Sequence, residues 1–285
     1  MRRAAIVLAL LAGCRPEPGE APSLVRGVRV LAVRGEPAEA APGERVTWRV
    51  LLAGPDGTPA APAQWALCSF PRPLSEPNAV AAACGIDDTR VIAQAATEAS
   101  AALPADVCQL FGPDTPPGST GLRPRDPDVT GGYYQPVRVT VGGTVAYGFQ
   151  RIRCNLASAA VDLAREFDAR YQRNQNPTLT VAPPPVAAPG TTLALTARWP
   201  AEAAENYVYF DGRALVLRRE ALRVSWFASA GAFAADRTGA AEDDPATVSD
   251  NTWTAPDTPG VVHFWVVLRD GRGGTAFTTF DVDVR

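Results

Sequence analysis

A short motif occurs twice in the chain, and the strand pattern after each copy constrains the fold. Residues 37–43 read PAEAAPG, and residues 184–190, 147 positions later, read PPVAAPG. Each copy ends in Pro-Gly, which favours a turn because proline fixes φ and glycine tolerates positive φ. Apolar residues then alternate with polar ones in the same register, at 46, 48, 50 and 52 and at 193, 195, 197 and 199. This repetition predicts two copies of one β-module.

Turn residues divide much of the remaining sequence into short strands. Residues 137–141 and 144–147 are separated by two glycines, a strong signal for a tight hairpin. In the second half, strands are predicted at 207–210, 214–217, 222–227, 261–268 and 275–284. Trp65 and Trp226 lie on middle strands. This density of strands resembles the immunoglobulin-like (Ig-like) sandwich, and the resemblance implies Ig-like modules at residues 24–155 and 177–285.

Two segments depart from the strand pattern. Residues 72–135 are predicted to form an insertion in the first module, with short helices at 78–83 and 92–102 because both stretches are rich in alanine. Residues 156–176 are predicted to hold an amphipathic connecting helix, since apolar residues between Leu156 and Tyr171 recur every three or four positions. The predicted fold is therefore mainly β: two Ig-like β-sandwich modules, the first with a disulfide-linked insertion, joined by an amphipathic helix.

The N-terminus has the anatomy of a secretory signal. Two arginines precede an apolar run from Ala4 to Gly13 that is too short to cross a membrane, which needs roughly 20 residues. The ending Leu11-Ala12-Gly13-Cys14 resembles the lipobox of bacterial lipoproteins. The resemblance implies a signal peptide at residues 1–13, cleaved before Cys14, and a lipid on that cysteine.

The residues after Cys14 bear on where the protein is held. Residues 14–23 contain three prolines and two glutamates, a composition that predicts an extended tether. Arg15 stands where an aspartate commonly signals retention in the inner membrane. The predicted location is therefore the cell envelope, with a lipid anchor in the outer membrane and the modules facing the periplasm or the cell surface.

Four further cysteines predict two disulfides, because an exported protein with an even number of cysteines usually pairs them. They are Cys68, Cys84, Cys108 and Cys154, and none forms a Cys-x-x-Cys pair. The favoured pairing joins Cys68 to Cys84, because Cys68 ends the strand that opens the insertion. It joins Cys108 to Cys154, which ends the strand that closes the module. The rival pairing, Cys84 with Cys108 and Cys68 with Cys154, stays open.

Composition excludes several classes of function. The chain contains no lysine, which rules out a Walker-type phosphate loop and a Schiff-base lysine. His263 is the single histidine and lies on a predicted strand, so a multi-histidine zinc site cannot form within one chain. The formal net charge of −3 argues against a nucleic-acid partner. We predict no catalytic residue, no metal site and no cofactor.

Two stretches are candidate sites for binding. Asp126 and Asp128 precede Tyr133 and Tyr134 on a predicted loop rich in glycine and proline. The tyrosines could stack on a sugar or contact a protein partner, or one could pack and the other be exposed. Acidic residues also crowd the predicted loop 236–250, where carboxylate oxygens could hold calcium. No D-x-D-x-D-G spacing occurs there, so a solvated loop is expected and calcium remains the alternative.

The order of anchor, tether and two modules predicts a non-enzymatic envelope protein that serves in binding or structural spacing. Its partners would be the membrane, through the N-terminal lipid, and an unknown envelope protein or polysaccharide. The alternative is a carbohydrate-active hydrolase with two catalytic carboxylates, but the sequence singles out no such pair. The chain resembles uncharacterised bacterial envelope lipoproteins with Ig-like modules, and this resemblance supplies no catalytic residue. Residues 177–285 are expected to fold alone, indifferent to reductant because they contain no cysteine.

Overall fold

The computed structural model describes residues 21–68, 80–85, 89–110, 132–156 and 159–285, and this part of the chain is mainly β. Its helices are α1 (Val107–Leu110) and α2 (Val161–Arg170), with 3-10 turns at Ala82–Gly85 and Ala201–Ala203. The strands are β1 (Arg29–Glu36), β2 (Glu39–Ala40), β3 (Arg45–Ala53), β4 (Ala63–Cys68), β5 (Thr89–Ala96), β6 (Glu98–Ala102), β7 (Gly132–Val141), β8 (Thr144–Arg153), β9 (Thr180–Val181), β10 (Val186–Ala187), β11 (Thr192–Arg198), β12 (Asn206–Phe210), β13 (Leu215–Arg219), β14 (Leu222–Ala228), β15 (Ala232–Phe233), β16 (Arg237–Ala240), β17 (Val248–Thr254), β18 (Gly260–Arg269) and β19 (Thr275–Val284).

Strands β1–β8, called here the N-terminal unit, form two sheets around one core. One sheet has the order β1-β3-β6 and the other the order β2-β8-β7-β4-β5. Alternation along β3 turns Val46, Trp48 and Leu52 towards the core, where they join the buried Trp65 of β4. The predicted hairpin joins β7 to β8. The arrangement is that of a β-sandwich.

Strands β9–β19, called here the C-terminal unit, repeat this layout. The two larger sheets have the orders β10-β19-β18-β14-β16 and β15-β17-β11-β9. Their shared core contains Trp226, Trp253 and Phe264, with the last two rings 4.8 Å apart. The hairpin β12–β13 forms its own small sheet, and its residues Val208 and Phe210 belong to a cluster that includes residues of α2.

The duplicated motif marks a duplicated piece of structure. Its first copy forms β2, which runs parallel to β8, and its second copy forms β10, which runs parallel to β19. Gly43 and Gly190 close the two copies with φ of 78° and 68°, values that L-residues rarely adopt. The following strands pair in equivalent register, with Arg45 opposite Ala102 and Thr192 opposite Thr254. The repetition in sequence therefore corresponds to repetition in strand order and register.

The predicted insertion at 72–135 is wrong in its described parts, which belong to the sandwich. Strand β5 pairs with β4, β6 pairs with β3, and β7 begins at Gly132. The helix predicted at 92–102 is likewise wrong, because Ala99 and Ala101 alternate with exposed residues and Ala99 lies opposite Trp48. Pairing with a neighbouring strand overrides the helix preference of alanine here. Of the other predicted helix, only residues 80–83 are described, and Ala82 and Ala83 lie in a 3-10 turn.

A helix lies within the predicted range 156–176, but it is shorter than predicted. Helix α2 spans Val161–Arg170, and the chain turns to an extended conformation at Tyr171. Phe167 is fully buried and stacks on Tyr171, with ring centroids 4.8 Å apart. Residues 171–176 therefore belong to neither a helix nor a strand and form a segment between the units.

The two units contact each other through a third apolar cluster. Leu31 and Leu51 of the N-terminal unit pack with Trp265 and Val267 of β18, on the outer face of the five-stranded C-terminal sheet. The indole Nε1 of Trp265 donates a hydrogen bond to Thr58 Oγ1 at 3.0 Å. Both the side chain of Trp265 and that of Val267 are almost completely buried by this contact and its surroundings.

The start of the described chain is bound to the C-terminal unit. Ser23 O accepts a hydrogen bond from the backbone N–H of Ala228, and the N–H of Val25 donates to Ala228 O. Ser23 and Val25 are buried. The end of the predicted tether, residues 21–23, is therefore attached to the edge of β14 and is not a free linker.

Candidate functional site

A buried ionic network lies where the two units and the segment 171–176 meet. Its centre in the N-terminal unit is Glu39 of β2, which is 1% exposed and lies opposite Arg151 of β8. The Tyr171 hydroxyl donates to the Glu39 carboxylate, at 2.7 Å from the nearer oxygen. The backbone N–H of Asn174 donates to the same oxygen at 2.9 Å. The segment is thereby fixed onto the N-terminal unit.

Arg272 holds the same segment to the C-terminal unit. It lies in the loop between β18 and β19 and is 2% exposed. Its Nε donates to Glu220 Oε1 at 2.6 Å, and its Nη2 donates to Glu205 Oε2 at 2.8 Å. Its Nη1 donates to Gln172 O at 2.9 Å and to the Tyr171 hydroxyl at 3.2 Å. One guanidinium therefore connects two acidic residues of the C-terminal unit to the segment between the units.

The loop that carries Arg272 is held by Asp270. One oxygen of its carboxylate accepts hydrogen bonds from the backbone N–H groups of Arg272 and Gly274, both at 2.8 Å. Asn174 Nδ2 donates to the same carboxylate at 3.2 Å. A Cβ at Gly274 would lie 2.0 Å from Asp270 Oδ2, so the close approach requires glycine at this position.

Tyr134 of β7 completes the connection between the units. Its hydroxyl donates to Arg272 O at 3.3 Å and accepts a hydrogen bond from Arg151 Nη1 at 3.1 Å. We call the set formed by these side chains the inter-unit network. Its members are Glu39, Tyr134, Arg151, Tyr171, Asn174, Glu205, Glu220, Asp270 and Arg272.

Burial changes the proton affinity of the acids in this network. Burial, with the nearby charge of Asp270, raises the pKa of Glu220 to about 7 against the opposing effect of Arg272. Burial also raises the pKa of Asp270 and of Glu205. Burial alone would lower the pKa of Arg272, but Glu220 and Tyr171 outweigh it and raise that pKa. Four carboxyl groups thus face two guanidiniums, Arg151 and Arg272, and protonation of Glu220 relieves the excess negative charge.

The contacts of the network suit a role in joining elements. Glu220 accepts from Arg272 through Oε1 and from the backbone N–H of Glu205 through Oε2, and its side chain is fully buried. Glu39 is engaged in the same way by Tyr171 and Asn174. Across the described ranges, no group of three or more His, Cys, Asp or Glu side chains is arranged to hold a metal ion. No helix in those ranges is long and apolar enough to cross a membrane.

The predicted binding loop is not a loop where the structure describes it. Tyr133 and Tyr134 lie in β7, opposite Ile152 and Arg151 of β8, because Gly132 already begins the strand. Tyr133 packs against the core of the N-terminal unit, and Tyr134 joins the network. Neither tyrosine is exposed, so the expectation of one packed and one exposed residue is also wrong. Asp126 and Asp128 lie outside the described residues.

The predicted acidic loop at 236–250 is interrupted by strands, since β16 and β17 fall within it. Asp250 lies in β17 and accepts a hydrogen bond from Thr196 Oγ1 at 2.6 Å. Asp244 accepts from the backbone N–H of Ala246 at 2.9 Å. The remaining predicted acids are Asp236, Glu242 and Asp243.

The remaining predicted sites are the cysteines and His263. Cys68 is bonded to Cys84 and Cys108 to Cys154, which is the pairing favoured from the sequence. His263 lies on β18 as predicted, and its Nδ1 is 2.7 Å from Asp281 Oδ1 on the neighbouring strand. Cys14 lies outside the described residues.

Sequence reasoning missed the inter-unit network, although one signal was present. Glu39 occupies the position at which the second copy of the motif has Val186. A charged residue is unexpected in a motif that is otherwise apolar, but the sequence does not show that Arg151 and Asn174 surround it. Its partners lie at sequence separations of 112 for Arg151 and 135 for Asn174, and no local pattern connects them.

Comparison with known proteins identifies no family. No protein-family model matches the chain, and no curated protein matches it. Among solved structures it is similar to the adhesin InvE of Yersinia pseudotuberculosis, with 12% identity and a TM-score of 0.26. That match covers 90% of this chain and 58% of the adhesin chain. A second match, to Escherichia coli alpha-2-macroglobulin in its native conformation, has 12% identity and a TM-score of 0.29 over 91% of this chain and 17% of the other. TM-scores this low support no transfer of function.

Proposed function

We propose that the protein is a lipid-anchored, non-enzymatic component of the cell envelope that serves in binding or structural spacing. In this proposal the N-terminal and C-terminal units are two Ig-like modules, and Cys14 carries the lipid. The repeated strand order supports the interpretation that the chain contains two modules of the same kind. The outer membrane is the proposed location, and an envelope protein or polysaccharide is the proposed partner.

The inter-unit network is the observation that carries the spacing role. A connector that only tethered two modules would need no buried charge, because burying an ion costs free energy unless it is paired. Here, Glu39 of the N-terminal unit binds the segment 171–176. Arg272 of the C-terminal unit binds the same segment and also Glu220 of its own unit. Two modules held in one orientation would present their surfaces at a fixed distance and angle from each other.

The same contacts favour this proposal over the hydrolase alternative. A glycoside hydrolase needs two carboxyl groups that reach the substrate from a cleft. Glu39 and Glu220 are buried, and both oxygens of Glu220 accept hydrogen bonds from the protein. Carboxyl groups held in this way are suited to joining elements rather than to transferring protons to a sugar.

The anchor is tested by the Cys14→Ser variant of the full chain. We expect it to leave the membrane fraction or to accumulate as an uncleaved precursor, because two acyl chains hold a protein stably where one is marginal. Cell fractionation and detergent phase partitioning measure the change. The matched control is Arg15→Ser, which changes the neighbouring residue and keeps the cysteine. Partitioning of Cys14→Ser identical to that of the unmodified chain would refute the anchor.

A further inference from the structure

An arginine-lined cleft of about 610 Å³ lies beside the contact between the units. Arg223 of β14 lies opposite Arg269 of β18, and Arg237 of β16 lies opposite Ser225 of β14. Residues two apart on a strand share a face, and Val224 and Trp226 face the core. The arginines of β14 and β18 therefore project from the outer face of the sheet, next to the part that the N-terminal unit covers. We call this feature the arginine cleft.

The positive charge of the arginine cleft is only partly balanced. In the described part of the chain, no carboxylate lies within ion-pair distance of Arg223, Arg237 or Arg269. Arg269 Nη2 donates to Leu31 O at 2.7 Å, which attaches the guanidinium to the N-terminal unit. Glu242 and Asp270 also line the cleft, but Asp270 is occupied by its own loop. Burial, followed by repulsion from Arg237, lowers the pKa of Arg269.

A fourth arginine, Arg29, lies next to the cleft. The guanidinium of Arg29 lies over the ring of Phe227, which lines the cleft, with Cζ 5.3 Å from the ring centroid. Its Nη2 donates to Pro22 O at 2.6 Å. Its Nε is buried and has no hydrogen-bond partner among the described residues. The guanidinium of Arg29 therefore adds a positive charge beside the cleft, although its buried Nε is shielded from any ligand there.

The path of the N-terminal chain gives the cleft a position relative to the membrane. Pro22 contacts Arg29, and the next residue, Ser23, is bound to Ala228 at the end of β14. Cys14 precedes Pro22 by eight residues, which span at most about 29 Å when fully extended. A lipid on Cys14 would therefore keep this face of the C-terminal unit within reach of the lipid headgroups.

We propose that the arginine cleft binds the phosphate groups of anionic phospholipids, so that the protein sits with this face towards the membrane. The proposal rests on the anchoring function proposed above. Guanidinium groups bind phosphate through paired hydrogen bonds, and basic side chains near an anionic leaflet are attracted to it. Because the whole chain has a net charge of −3, this attraction is local and acts within about one Debye length. The tether limits how far the cleft can move from the membrane, so that the cleft can come within this range.

The test uses the chain that begins at Ala21, which lacks the anchor and keeps every described strand and every buried cluster. Circular dichroism first establishes that it is folded. Binding is then measured by co-sedimentation with vesicles of phosphatidylcholine alone and of phosphatidylcholine with 30% phosphatidylglycerol. The double variant Arg223→Ser and Arg237→Ser is compared with Arg198→Ser and Arg213→Ser, which removes the same charge from exposed sites outside the cleft.

We expect binding to the anionic vesicles only, weakened by salt and weakened about 30-fold by the cleft variant but not by its control. Equal binding to both vesicles, no binding to either, or equal loss in both double variants would overturn the proposal. Binding of inorganic phosphate or poly-glutamate without binding of anionic vesicles would also overturn it, in favour of a soluble phosphate or an acidic peptide. Since this chain has no anchor, the result is independent of the Cys14→Ser test.

Discussion

Glu220 illustrates how one residue acquires an unusual property from its surroundings. In the sequence it is an ordinary glutamate that follows two arginines, between the predicted strands 214–217 and 222–227. In the structure it is buried beside Arg272, with Glu205 and Asp270 close by, and burial raises its pKa to about 7. Loss of one partner from such a buried pair typically costs about 3–5 kcal/mol, because the other charge stays buried without compensation.

The stability of the protein should fall as pH rises from about 4.5 to about 7. The folded state binds a proton at Glu220 more tightly than the unfolded chain, whose glutamates have a pKa near 4.5. The stabilisation is therefore complete below that value and is lost as the pH passes the folded-state pKa. Glu220→Gln should make the melting temperature less dependent on pH in this window. Asp270 and Glu205 act in the same direction, so a smaller slope should remain.

The control for this measurement is Glu202→Gln, which changes an exposed glutamate on the 3-10 turn at Ala201–Ala203. Its melting temperature should follow the pH dependence of the unmodified protein. A slope that is unchanged in Glu220→Gln would mean that this carboxyl group does not titrate in the window.

At the level of elements, the described strands show where the conformational preference of the local sequence determines the secondary structure and where it does not. The alternation along β3 and β11 is strong enough to place both strands correctly. Strand β6 has the sequence EASAA, which favours a helix by composition, yet it pairs with β3 over five residues. Small alanine side chains fit beside Trp48, so the neighbouring strand determines the conformation.

The two motif turns should respond alike to mutation, if they are equivalent elements. Gly43→Ala and Gly190→Ala should each reduce the free energy of unfolding by about 1–2 kcal/mol, because a Cβ is unfavourable at their positive φ. Urea unfolding measures the loss. Gly27→Ala is the control, since its φ is ordinary and a Cβ there meets no atom within 4 Å. Unchanged stability in both motif variants would contradict the backbone conformation described here.

At the level of the whole molecule, the contact between the units combines an apolar cluster with a polar network. Trp265 and Val267 are covered by residues of the N-terminal unit, and Arg272 is bound by Tyr171 and Gln172 of the connecting segment. The C-terminal unit nevertheless has a separate core around Trp226 and Trp253. It therefore contains the means to fold alone but has a face adapted to the rest of the chain.

Residues 177–285 should fold cooperatively without the N-terminal unit, but with lower stability and with self-association. The isolated piece keeps its own core, whereas Trp265, Val267 and Phe277 lose their cover and form an exposed apolar patch. Urea unfolding and analytical ultracentrifugation, with and without reductant, measure both effects. Trp265→Gln in the piece should reduce association, while Leu217→Gln, at an already exposed site on β13, should not. A piece without a cooperative transition would show that the two units form a single folding unit.

The sequence by itself determined the mainly β character, the position of most strands and the register of the repeated motif, and it favoured one pairing of the cysteines without deciding it. These features depend on alternation, turn residues and spacing, all of which are encoded within short stretches of chain. The tertiary structure alone decided that residues 89–102 are strands, that Glu39 and Arg272 join the units through Tyr171, and that Arg223 and Arg269 line one cleft. Each of these depends on side chains brought together from distant positions, as with the 101 residues that separate Tyr171 from Arg272. Burial and pairing across such distances leave no periodic trace in the sequence, because they arise only when sheets pack against each other.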